Sequence, residues 1–115
     1  MTVVPLDVEQ WAYTLLRDLG GVTVWAFDSG TGWPYRVERT AMQIDVRASS
    51  KRRARDRAYE VRGRLFDPAN HLPDDGVIAG VEVISGPLWL PDDDGRPRYV
   101  LRVTVASHPG DAANG

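Results

Sequence analysis

Cysteine is absent from the chain, so neither disulfide bridges nor thiolate metal sites are open to it. Lysine is almost absent as well: Lys51 stands alone, and every other cationic side chain is an arginine, apart from the histidines. No run approaches the roughly 18 consecutive apolar residues that a membrane-spanning helix needs. The opening MTVVPLDVEQ lacks the basic and apolar regions of a secretory signal, and the expectation is a chain made and used in a cytoplasm-like compartment. Only two histidines occur, His71 and His108, and no Ser-His-Asp or His-x-Glu arrangement runs through either; both are expected at the surface. Gly30 and Gly32 precede no helix, so a phosphate-binding glycine motif is missing. Carboxylates gather in turns instead of pairing on one face, which leaves glycosidase-type acid–base chemistry unsupported. Asp92-Asp93-Asp94-Gly95 places three acids side by side, whereas a calcium loop alternates its ligands and closes on a distant Glu. It reads as a solvated turn, as does Asp74-Asp75-Gly76. No catalytic residue, metal or cofactor is expected.

What is present suits one folded domain. The 115 residues are 43% hydrophobic and 26% charged, an ordinary globular balance, and a chain of this length buries roughly two-thirds of its unfolded surface. The formal net charge of -2 argues against a general nucleic-acid coat protein.

Pro5 to Leu19 is expected as a first helix, because Val8, Trp11, Ala12, Leu15, Leu16 and Leu19 recur on one helical face. Gly20-Gly21 supplies its stop. Val22 to Asp28 reads as a strand and Ser29 to Pro34 as a turn. From Tyr35 to Ala48 the alternation changes phase: Tyr35 and Val37 fall on odd positions, Met42, Ile44, Val46 and Ala48 on even ones. A straight strand cannot do this, so either a bulge or a tight turn is expected near Arg39 to Ala41, with a bend between two strand segments favoured.

Ser49 to Phe66 is the element around which the chain is organised. Ala54, Ala58, Val61 and Leu65 form a narrow apolar stripe, with small residues that permit close approach to a sheet. The remaining surface carries Lys51, Arg52, Arg53, Arg55, Arg57, Arg62 and Arg64. His71 to Gly76 is a loop. Val77 to Ile84 is a strand, with Gly80 marking a bulge or a close backbone approach. Ser85 to Pro91 stays extended but holds two prolines, as on an edge. Asp92 to Pro97 turns the chain, and Arg98 to Ser107 alternates cleanly, with Tyr99, Leu101, Val103 and Val105 on one face. Residues 1–108 form the domain and 109–115 a flexible tail. The fold expected is α+β, a mostly antiparallel sheet with two helices on one face, in the order α-β-β(β)-α-β-β.

Trp11 and Trp25 are expected in the core. Trp33 and Trp89, with Leu90 beside the latter, sit among Pro and Gly at the ends of extended segments. There large aromatics serve either as interface anchors or as packing on their own domain. The basic helix admits three uses: a solvated face, phosphate contacts on nucleic acid, or an interface where arginine forks meet carboxylates. Asp92, Asp93 and Asp94 of the same chain could supply such carboxylates, which favours self-assembly.

The layout resembles the tail terminator proteins of long-tailed, non-contractile bacteriophages, especially those of actinobacterial hosts. The resemblance covers most of the chain: the opening helix ending in Gly20-Gly21, the Val-rich strand, MQIDVRASSKRRARDRAYEVRGRL, then GPLWLP and an acidic turn before RPRYVLRVTVAS. The region from Thr31 to Thr40 looks shorter than the extended hairpin usual there. The resemblance implies a virion protein assembled in the host cytoplasm, an α+β subunit of a homo-hexameric ring. That ring caps the tail tube, stops its polymerisation and faces the head-side connector or stopper. Double-stranded DNA passes through the lumen as cargo. An arginine-lined lumen would brake DNA, so the basic face is expected toward protein. Arg52, Arg53, Arg55, Arg62, Trp33, Trp89, Leu90, Asp92, Asp93 and Asp94 are the candidate interface residues. Charge reversal at Arg55 and Arg62 is expected to weaken assembly and not folding. Another neck component, such as a connector stopper or tail-completion protein, fits the same character; a small nucleic-acid-binding module is the rival from a different class.

Overall fold

The chain was analysed as a computed structural model that describes residues 6–32, 37–74 and 76–109. Two helices and four antiparallel strands follow the order α1 (Val8–Leu16), β1 (Val22–Gly32), β2 (Val37–Arg47), α2 (Lys51–Phe66), β3 (Gly76–Trp89) and β4 (Arg98–Pro109). The sheet runs β1-β2-β4-β3, so two hairpins are joined through a β2–β4 contact that spans the α2 crossover. The fold is α+β, with both helices on one sheet face, as the alternation and helical spacing imply.

Even positions of β2 and odd positions of β4 point toward the helices. Met42, Ile44, Val46, Leu101, Val103 and Val105 are all fully buried there. Ala54, Ala58, Val61 and Leu65 lie against them with no exposure at all. Small residues at the first two positions let the helix axis settle close to the sheet, while Val61 and Leu65 fill the wider end. Ser50 caps α2 by accepting from the Arg53 N–H at 3.2 Å.

The first helix is shorter than its periodicity suggests. Asp7 is its N-cap, accepting from the Gln10 N–H, and Arg17 to Leu19 tighten into a 3-10 turn. Pro5 lies outside the described residues. Gly20 and Gly21 both hold positive φ, and a Cβ on Gly21 would run into the Arg47 carbonyl. Its own carbonyl accepts from the Arg47 N–H at 2.8 Å, closing the end of the β1–β2 pair.

Three expectations change. β1 does not stop at Asp28: pairing continues through Ser29 to Gly32, which stands opposite Val37. The Ser29–Gly32 stretch, expected as a turn, therefore belongs to a long hairpin arm, and residues 33–36 at its end lie outside the described residues. β2 has no bend near Arg39. Its ladder with β4 is unbroken from Glu38 to Arg47, and the irregularity sits in β1, between Ala26 and Asp28. Thr40 continues the even, core-facing row, so Val37 faces the other side without any backbone defect. Trp25 is not core: it points to the face opposite the helices and is 37% exposed.

β3 is an edge strand with register shifts around Ala79, Ile84 and the Gly86-Pro87 step. Pro87 and the bulge near Gly80 agree with the edge reading. β4 extends to Pro109, one residue into the expected tail, and residues 110–115 lie outside the described residues.

Candidate assembly surface

The arginines of α2 divide between its two flanks. On the flank toward α1, Arg57 donates to the Arg47 carbonyl at 2.9 Å. Arg64 forms a fork on Asp18, at 2.6 and 3.1 Å, and also donates to the Leu15 carbonyl and to Glu60. The Arg64 bond holds the Asp18 carboxyl below its ordinary range and raises Arg64 in return. These two arginines fasten the helices and loops of the chain together. Arg53, on the same side, is exposed and has no ion pair among the described residues.

The other flank is different. Arg52, Arg55, Tyr59, Arg62 and Phe66 follow one another at three- and four-residue steps, the spacing of a single helical stripe. Every one of them is exposed. Their interactions stay within the helix: Arg55 reaches Asp56 at 3.6 Å and lies 4.8 Å from the centre of the Tyr59 ring, and Arg62 lies 6.0 Å from that of Phe66. Guanidinium groups laid over rings keep both flat against the helix, leaving a band of alternating charge and aromatic surface. Composition alone shows the number of arginines; only the positions show which flank is free.

Trp89 is half-buried on the helix-covered side. Its ring packs on Tyr99 at 5.3 Å between centres, and the Lys51 ammonium lies 4.6 Å from its own ring centre. It thus anchors the start of α2 to the β3–β4 hairpin, while Leu90 next to it is exposed. Trp33 lies outside the described residues.

The three aspartates of the β3–β4 turn have separate roles. Asp92 accepts from Arg47 Nε at 2.7 Å and Nη2 at 3.2 Å, and its Oδ1 stands 3.4 Å from Arg98 Nε. Arg47 and Arg98 face each other across β2 and β4 on the side away from the helices. Two residues before Arg47 on the same face lies Asp45, 2% exposed at its side chain, 3.1 Å from Arg98 and 3.4 Å from Arg47, with Gln43 donating at 3.0 Å. Two carboxylates and two guanidiniums thus alternate in one network that folds the turn back over the sheet. The Arg47 hydrogen bond holds the Asp92 carboxyl below its ordinary range, and Asp92 raises Arg47. Asp94 accepts from the Arg96 N–H at 3.0 Å and shapes the turn. Asp93 is exposed and has no ion pair among the described residues.

An open depression of about 680 Å³ lies where this turn approaches Gly21, Thr23 and Arg47. Away from it, the helix-free sheet face carries Trp25, Gln43, Arg102 and Ser85 in a row across four strands, with Arg102 donating to Gln43 at 3.2 Å. Leu88 (53% exposed) and Glu82 stand on the same face along β3, Ile84 is exposed in the bulge between them, and Phe27 bulges from β1.

The histidine expectations need one revision. His71 is structural: its Nε2–H donates to the Leu65 carbonyl at 2.7 Å, and its ring meets Trp11 edge-on. Trp11 in turn donates to the Asn70 carbonyl at 2.9 Å, so this pair ties α1 to the segment after α2. Among the described residues no group of three or more His, Cys, Asp or Glu side chains is placed to hold a metal ion, and no helix is long and apolar enough to cross a membrane. No family model matches the chain, and no curated protein matches it.

Proposed function

We propose that this chain is a structural virion subunit, a tail terminator of a long-tailed, non-contractile bacteriophage. Copies form a ring that caps the tail tube, ends its polymerisation and meets the head-side connector, with DNA passing through as cargo. One observation carries the reading beyond the sequence resemblance: each subunit has two different unpartnered surfaces on opposite sides of its sheet. One is the outer stripe of α2; the other is the helix-free sheet face with Trp25 and Leu88. Two unlike surfaces back to back suit head-to-tail association, which closes into a ring when the rotation allows. An exposed aromatic and aliphatic set on a sheet face also marks an interaction surface.

The test is polymerisation of the tail tube protein with and without this chain, followed by electron microscopy. Tubes capped at one end by a ring, and shorter than tubes grown alone, are expected. Tubes of unchanged length with free ends would remove the terminator role. A ring found bound only to the head-side connector would move the chain to the stopper position.

A further inference from the structure

Charge and apolar surface follow the same order along the α2 stripe and along β3. α2 lies antiparallel to β3: Lys51 stands over Trp89 at one end, and at the other Leu65 is joined through His71 to Ile78. At the Trp89 end, the stripe presents Arg52 and Arg55 on the helix side, while the turn presents Asp93 and Asp94 on the helix-free side, toward Thr23 and Arg47, with Asp94 also 3.8 Å from Arg96. Farther along, Tyr59 lies on the stripe and Leu88 and Ile84 lie on β3. Farther still come Arg62 on the stripe and Glu82 on β3, both exposed.

We infer that the α2 stripe of one copy docks across the helix-free side of the next copy, from the folded-back β3–β4 turn to β3. Arg52 and Arg55 meet Asp93 and Asp94, Tyr59 packs on Leu88 and Ile84, and Arg62 meets Glu82. The occupant is a second copy of this chain because Asp93, Leu88 with Ile84, and Glu82 follow one another in the same order as Arg52 with Arg55, Tyr59, and Arg62 along the stripe. Asp92 takes no part in the contact: both its oxygens are engaged by Arg47 and Arg98, and it holds the turn in place for its neighbours. Arginine suits this task, since its fork can engage a carboxylate while its flat face stays on an aromatic ring. The inference rests on the ring reading and specifies which surfaces close it.

The experiment uses the full chain in three forms: wild type, a helix variant (Arg55→Glu with Arg62→Glu) and a sheet variant (Asp93→Lys with Glu82→Lys). Sedimentation over a concentration series reads assembly, and thermal melting checks folding. Like charges brought face to face cost several kcal/mol, so each variant alone is expected to need roughly a hundredfold more protein to assemble, or more. A one-to-one mixture is expected to assemble as the wild type does, because the acidic helix of one meets the basic sheet side of the other. Both variants assembling like the wild type would overturn the inference and leave the ring reading standing. So would failure of the mixture to recover. A wild type that stays monomeric throughout would overturn both. Salt-sensitive binding of a random duplex by the wild type, lost in the helix variant with no change in mass, would overturn it in favour of a nucleic-acid surface.

Discussion

Arg47 and Asp92, 45 residues apart, form a two-bond fork of 2.7 and 3.2 Å that joins the end of β2 to the β3–β4 turn. Behind it, Asp45 shares both Arg47 and Arg98 and is almost wholly buried. Removing one member of such a set leaves the others short of a partner. Asp45→Ala is therefore expected to destabilise the chain by about 3 kcal/mol, the low end for breaking a buried pair, because both arginines keep some contact with water. Asp45→Asn, which retains an acceptor, should cost less. Urea unfolding of the three proteins measures this, and a loss below about 0.5 kcal/mol for the alanine variant, the scale of an ordinary surface change, would show the network to be incidental.

Acid should loosen the same turn. The Asp92 carboxyl titrates below its ordinary value of 3.8 in the folded chain, chiefly through the Arg47 hydrogen bond, and Asp18 does so through Arg64. A carboxyl whose folded pKa is depressed contributes stability above its unfolded pKa and loses it as pH falls through the folded value. The melting temperature of the wild type should thus be flat from neutral pH to just above the ordinary carboxylate range and then fall. Asp92→Asn should start lower and fall less steeply, the two curves converging in strong acid. Coincident curves would mean the Arg47–Asp92 pair contributes nothing, and parallel, offset curves that its contribution does not depend on ionisation of Asp92.

Two glycines should respond in opposite directions to alanine. Gly21 has a φ of 68° and no room for a Cβ beside the Arg47 carbonyl, so Gly21→Ala is expected to cost about 2 kcal/mol or more. Gly63 lies within α2 with open space around it, so Gly63→Ala should stabilise by about 0.5–1 kcal/mol through the unfolded chain's lost freedom. Thermal or urea unfolding separates the two, and a destabilised Gly63→Ala would contradict the helix geometry.

Close packing under α2 gives a fourth expectation. Ala58 is fully buried where the helix lies on the sheet, and Ala58→Leu would force them apart at a cost of about 1–3 kcal/mol. Unchanged stability would mean that the helix stands off farther than its small residues imply.

Much of this architecture could be read from residue order, for a physical reason. In α2 and β4 every core contact falls on one periodic stripe, so local spacing and tertiary burial coincide. β1 hid its length because Ser29 to Gly32 are residues with strong turn preference. They are drawn into a strand by four residue pairings with β2 that continue the six before them, a non-local gain that no window of sequence contains. Trp25 reads as core because it sits in a periodic segment, but its strand register places it beside Gln43 on the helix-free face. Val37 falls out of phase with Met42, Ile44 and Val46 because it lies on the opposite face of an unbroken strand, which alternation alone cannot distinguish from a bulge. The Asp45–Arg47–Asp92–Arg98 network was missed for a similar reason. An acid and an arginine two apart at the end of β2 give some signal, but the β2–β4 pairing that completes the set depends on strand order. The arginines of α2 were visible as a group, whereas their division into a bonded flank and a free one required the position of α1.

Self-association of this 12.8 kDa chain underlies every part of the proposed role. Native mass measurement of the wild type across a wide concentration range, in low salt, tests it most directly. A single closed species of six subunits, weakened by added salt and absent in the Arg55→Glu/Arg62→Glu variant, is the predicted result. A monomer at every concentration, with or without the tail tube protein present, would contradict it.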